Sequence, residues 1–155
     1  MKKLLARQYL LIAIAVAGCA ILLSFTMQSS GPTAKKEDVG IQFIHQNWDK
    51  ALQQAKEQNK LIFIDIYATW CGPCKLLQKK TFTDQKVADF FNENFINLSI
   101  DAEKTIGPEL AQKFAIQGYP TLIVADATGK AVLFTMGFVE PDNLLYFARE
   151  ALKRK

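Results

Sequence analysis

The chain has 155 residues, half of them apolar and 22% charged, which is enough for one domain with its own core. Its formal charge of +4 is unevenly placed: Lys2, Lys3 and Arg7 stand at the start, and the chain from Lys35 onward carries 16 basic against 15 acidic residues. So nearly neutral a domain offers no basic face for nucleic acid, and three cysteines with one histidine, His45, fall short of the usual four-ligand structural zinc site.

The first element is a leader. From Gln8 to Ala34 there is no charge, and Tyr9–Met27 is a nearly continuous apolar run, YLLIAIAVAGCAILLSFTM. Its 19 residues, at about 1.5 Å each as a helix, span a bilayer core. The basic residues before it should stay in the cytoplasm and leave the rest of the chain outside. Residues 1–27 therefore read as an uncleaved signal-anchor helix. A second reading rests on Val16-Ala17-Gly18-Cys19, which resembles the lipobox of bacterial lipoproteins, with Cys19 lipidated. The stretch Ala20–Leu23 stays apolar, where lipoproteins turn polar, and weighs against it. A cleaved signal peptide is third, without a clear cleavage site after the run. All three put the domain on the extracytoplasmic side. Gln28–Asp38 is polar with Gly and Pro, so residues 28–40 read as a flexible linker and 41–155 as the domain.

Within the domain, Ile41–Ile44 is a short strand candidate. Asn47 can cap a helix to about Gln58, with Trp48, Leu52 and Ala55 on one face. Leu61–Tyr67, LIFIDIY, reads as a buried strand interrupted by one carboxylate, Asp65. A helix follows Cys71, with Leu76 and Leu77 expected to face inward. Val87–Phe91 suggests another helical turn or two, Phe95–Ile100 a strand ending at Asp101, and Pro108–Phe114 a helix. Thr121–Ala125 and Ala131–Met136 flank the turn Asp126–Lys130 and predict a hairpin. Pro141 opens a last helix, with Leu144, Leu145, Phe147, Ala148 and Leu152 at helical spacing. Strands alternating with helices imply an α/β sandwich, and the closing hairpin makes its sheet mixed.

The chemistry concentrates at Cys71-Gly72-Pro73-Cys74, a C-x-x-C between a strand and a helix. Backbone N–H groups and the dipole at a helix start favour a thiolate on the first cysteine, and the second lies one turn on. A free thiol with a pKa of about 8.5 is only a few per cent thiolate at neutral pH, so such a setting activates it. Pro73 suits a first helical turn, where a missing N–H costs little. Asp65 inside an apolar strand would have a raised pKa, as a base needs.

Trp70-Cys71-Gly72-Pro73-Cys74-Lys75 is identical to the WCGPCK motif of thioredoxins, and the chain resembles that superfamily over about Phe43 to Leu152. Asp65 matches the family's buried aspartate, Gly118-Tyr119-Pro120-Thr121 its cis-proline loop, Asp101 the aspartate ending the third strand, and Gly137 the glycine after the last strand. The pattern Asp65-x-Tyr67-Ala68-x-Trp70-Cys71-x-x-Cys74-Lys75, with Thr81-Phe82-Thr83-Asp84, Val87 and Gly137-Phe138, is most similar to the C-terminal periplasmic domain of DsbD-type thiol:disulfide interchange proteins. Two departures stand out: the Gly-Pro centre, where that domain commonly has other residues, and Asn97 in place of a lysine near the buried aspartate, so the proton path around Asp65 is expected to differ.

The resemblance implies a thioredoxin fold, with a central mixed sheet flanked by helices, preceded here by the hydrophobic anchor. It implies Cys71 as attacking thiolate, Cys74 as resolving thiol and Asp65 as the base for Cys74. Trp70, Gly72, Pro73, Tyr119 and Pro120 would contact substrate, the backbone of Tyr119 pairing with a substrate strand beside a cis Pro120. No metal and no cofactor beyond the Cys71–Cys74 disulfide are implied. The expected partners are protein disulfides and a membrane electron donor of DsbD type, and a monomer is expected. The expected activity is reduction of disulfides in envelope proteins. The alternatives are an oxidase or isomerase for secreted proteins and a non-enzymatic module using the Tyr119-Pro120 groove.

Overall fold

The computed structural model describes residues 39–155. The anchor, Cys19 and the linker as far as residue 38 lie outside the described residues. The element order is β1 (Ile44–His45), α1 (Trp48–Gln58), β2 (Leu61–Tyr67), α2 (Gly72–Leu76) running on into a π-helical turn (Leu77–Thr81), α3 (Gln85–Asn94), β3 (Phe95–Asp101), α4 (Gly107–Lys113), β4 (Thr121–Ala125), β5 (Ala131–Met136) and α5 (Pro141–Leu152). The strands form one sheet in the order β1-β3-β2-β4-β5. β1, β3 and β2 run parallel, while β4 is antiparallel to both β2 and β5. This is the expected mixed sheet flanked by helices. Among the described residues no helix is long and apolar enough to cross a membrane.

The alternation of side chains along β2 divides the core. Leu61 and Phe63 point into a layer with Leu77 of the π-helical turn, Phe91 of α3 and Leu144 of α5. Ile62, Ile64 and Ile66 point the other way, onto Ala51, Ala55 and Leu110 of α1 and α4. Both faces of β2 are thus covered, which explains why its sequence is a continuous apolar run and not a half-polar one. The rings of Phe82 and Phe91 meet Phe63 edge-on at 6.0 and 4.5 Å between centroids. Each such side chain, fully buried, contributes roughly 1.5–3 kcal/mol.

Caps set the helix ends as the sequence suggests. Asn47 accepts the N–H of Lys50 at 3.0 Å, and Asp84 accepts that of Val87 at 3.1 Å, starting α3 two residues earlier than the apolar pattern alone implies. The first strand is shorter and later than expected, Ile44–His45 in place of Ile41–Ile44. Ile41 donates its N–H to Phe82 O outside the sheet, at 2.8 Å, and Asn92 holds Gln42 N–H and Gly40 O. Among the described residues Gly40, the last residue of the expected linker, is already buried. Leu76 does not face inward. It is 47% exposed while Leu77 is fully buried, because neighbours on a helix diverge by about 100° and cannot share one face.

Candidate active site

Strand β2 leads out of the core through Ala68 to the two cysteines, which are joined in a disulfide with their Cα atoms 5.3 Å apart. Cys71 is the N-cap of α2, and its sulfur accepts the N–H of Cys74 at 3.1 Å. This donor points at one sulfur and not the other, and it would stabilise a thiolate on Cys71 once the bond is reduced. Pro73 lies in the first turn of α2. Both cysteines are buried, Cys71 at 3% and Cys74 at 2% exposure, against Ala68, Tyr67 and Tyr119. Gly72, Pro73 and Lys75 are exposed.

Trp70 is 66% exposed, so it is no core residue. Its ring stands edge-on to Tyr119 at 5.9 Å, and its indole N–H donates to Glu103 Oε1 at 2.9 Å. Glu103 is held in turn. Asp101 accepts the Glu103 N–H at 3.1 Å and pairs with Lys104 at 3.0 Å, and Ala102 donates to Tyr67 O at 2.8 Å. Gly107 closes this loop so tightly that a Cβ there would lie 2.0 Å from Asp101 O, so glycine is required. Asp101 thus buttresses the loop that supports Trp70.

The peptide bond Tyr119–Pro120 is cis. Thr121 Oγ1 donates to Gly118 O at 2.7 Å, and Gly137 N–H donates to Pro120 O at 2.8 Å. The loop is therefore fixed from both sides, while the backbone N–H and C=O of Tyr119 take part in no hydrogen bond among the described residues. Such a pair of groups beside a disulfide can receive an extended peptide as an added strand.

Asp65 lies on the central strand, 1% exposed. Burial pushes its carboxyl up to about 7, against a small opposing effect of Ser99, whose Oγ donates to Oδ2 at 3.5 Å. Its other oxygen has no partner among the described residues. Two residues on, Tyr67 packs on the disulfide. Its hydroxyl pKa is raised by burial and by the charges of Asp101 and Asp65. Asn97 does not reach toward Asp65. Its amide donates to Asn92 Oδ1 at 3.2 Å, and the residue beside Asp65 in the sheet register is Ser99. Ser99 is absent from the residues that the sequence marks, although Asn97, Ser99 and Asp101 alternate along β3 and so share one face. Glu103 left no signal, since a loop glutamate is ordinary. Among the described residues no group of His, Cys, Asp and Glu could hold a metal ion.

Residues 48–151 match the model of the thioredoxin-like domain. The solution structure of a putative disulphide-isomerase from Bacteroides thetaiotaomicron is 39% identical, with a TM-score of 0.66 over 75% of this chain and 96% of that one. A thioredoxin from Thermus thermophilus shares the fold at 19% identity, with a TM-score of 0.63 over 71% of this chain and 87% of that one. Among curated proteins, the thiol:disulfide interchange protein DsbD of Pseudoalteromonas atlantica is 33% identical over 88 residues. That stretch is 56% of this chain and only 15% of DsbD, so the likeness is to a small part of that protein. With the matched model covering most of the chain, and the C-x-x-C disulfide at a helix start beside a cis-proline loop, the chain belongs to the thioredoxin-like domain family.

Proposed function

We propose that this protein is a thiol–disulfide oxidoreductase that reduces disulfides of envelope proteins through Cys71 and Cys74. The observation that carries the reading is the asymmetry of the pair: Cys71 alone caps the helix and accepts a backbone N–H, while a buried carboxyl raised to about 7 stands on the strand leading to it. In this reading the Cys71 thiolate attacks a substrate disulfide and one substrate sulfur leaves. Cys74 then gives its proton to Asp65 and attacks Cys71. The enzyme disulfide closes, and the second substrate sulfur leaves as thiolate. Two electrons pass from the dithiol to the substrate. The free backbone groups of Tyr119 pair with the substrate strand, and Trp70, Gly72, Pro73 and Pro120 form the contact surface. No cofactor beyond the disulfide enters.

The Gly-Pro centre supports reduction over oxidation, because it is the centre of the reducing thioredoxins that the motif resembles. The reduction potential of the Cys71–Cys74 couple, measured against a glutathione or dithiothreitol series, should lie well below that of strong periplasmic oxidants. A value near roughly −120 mV would remove the reductase reading and promote the oxidase one.

A single-span chain would need recharging by a separate membrane donor of DsbD type, and the leader supports a signal-anchor at 1–27 with a linker at 28–40. Mass spectrometry of the full-length protein purified from membranes should find Met1–Gly18 intact. A mature chain starting at a diacylated Cys19, or a soluble form starting after Met27, would overturn the anchor.

A further inference from the structure

Three polar side chains stand in one row across the parallel half of the sheet. His45 on β1 is the register partner of Ser99 on β3, and Ser99 is the register partner of Asp65 on β2. Partners in register point to the same face, at roughly 4.8 Å from strand to strand. The same three residues line one solvent-open pocket of about 340 Å³, walled also by Tyr67, Gln78 and Phe82. The pocket reaches Asp65, whose Oδ1 is buried without a partner among the described residues. His45 is exposed at the edge strand, its ring 6.4 Å between centroids from that of Phe43. Tyr67 belongs both to this pocket and to the packing around the disulfide.

From this juxtaposition we infer that His45 and Ser99 form a proton relay between Asp65 and solvent, making His45 a positioning residue that resets Asp65 after each resolving step. The inference rests on the proposed role of Asp65 as base for Cys74. When Asp65 is ionised, Ser99 donates to it. When Asp65 has taken the Cys74 proton, the bond reverses: the carboxyl donates to Ser99 Oγ, and the serine hydrogen turns into the pocket. The pocket is polar at this end and wide enough for bridging water between Ser99 and His45. The imidazole, with one donor and one acceptor nitrogen, passes the proton to bulk. The cycle balances. Cys74 loses one proton to Asp65, Asp65 returns it to water through Ser99 and His45, and the departing substrate thiolate takes a proton from solvent.

The titratable groups that line this pocket with Asp65 are His45 of β1 and Tyr67 of β2, and the π-helical turn adds the neutral Gln78. Beyond them, the Asp101–Lys104 pair at the end of β3 acts on Tyr67, and Cys71 and Cys74, at the start of α2, pack on Tyr67. His45 is the one histidine of the chain, so its removal changes a single imidazole.

The test uses the full chain in detergent micelles, kept reduced by dithiothreitol and given excess disulfide peptide, with steady-state turnover measured beside the single resolving event followed by stopped-flow tryptophan fluorescence. His45→Ala should slow turnover about tenfold, below the roughly 10²–10⁴ of a general base itself, while the single resolving event keeps its wild-type rate, and added imidazole should restore turnover. Ser99→Ala should slow it similarly without imidazole rescue, and Asp65→Asn should slow it more, also without rescue. A wild-type turnover rate in His45→Ala with a slow Asp65→Asn would overturn the relay and leave Asp65 as base. Wild-type rates in both would overturn both. A slow His45→Ala that ignores imidazole would make the residue structural and overturn the relay too.

Discussion

Cys71→Ser is expected to abolish reduction of insulin-type disulfides, with a loss of at least roughly 10³-fold, as for removal of any covalent nucleophile. Cys74→Ser is expected to do something different: to accumulate a mixed disulfide on Cys71. The asymmetry follows from the helix start. Reduction frees two sulfurs of nearly equal burial, so exposure does not choose between them. The hydrogen bond does, since the Cys74 N–H points at the Cys71 sulfur from 3.1 Å and favours charge there. Without Cys74 the adduct cannot be resolved, because no other cysteine lies in the described domain. Peptide mapping of the Cys74→Ser adduct decides the order. Label found on Cys74 in the converse variant, at a rate matching wild type, would reverse the two roles.

Much of this site was legible in the sequence because its parts are local. The cysteine pair, Pro73 and the strand before them lie within fourteen residues, and strand-then-helix patterning fixes where the thiols emerge. The hairpin Thr121–Ala125 and Ala131–Met136 was readable to the residue, since turn chemistry and alternation both speak there. What escaped depends on register. Ser99 acquires meaning only when β3 is laid beside β2, and His45 only when β1 is laid beside β3. A shift of one residue would turn either side chain to the other face. Asn97, in place of the lysine that the resemblance leads one to expect near Asp65, donates its amide to Asn92 Oδ1 on α3, and its consequence for Asp65 is legible only once the register is known. The expectation that Leu76 and Leu77 both face inward fails because adjacent residues on a helix diverge by about 100°, and only Leu77 reaches the core.

Asp65→Asn should slow resolution roughly 10²-fold at neutral pH, the low end for loss of a general base, and should raise the stability of the oxidised protein above pH 7. The two effects have one cause. Burial lifts the carboxyl from 3.8 to about 7, so the folded state binds a proton more tightly than the unfolded chain does. The stabilisation from that proton is fully present below about pH 3.8 and is lost as pH rises through about 7, where the carboxyl ionises in place. At about 1.36 kcal/mol per pH unit, a change from 3.8 to about 7 costs the folded state about 4 kcal/mol at alkaline pH. Asparagine is nearly isosteric and carries no charge, so the variant should match wild type near pH 3 and exceed it progressively to pH 8. Urea denaturation of the oxidised pair at several pH values measures this directly. Equal stability curves at all pH values would mean that the carboxyl is hydrated well enough to ionise freely, and Asp65 would then lack the proton affinity that a base for Cys74 requires. A wild-type resolution rate in a stabilised variant would separate the two effects and leave Asp65 as a costly residue without a part in the reaction.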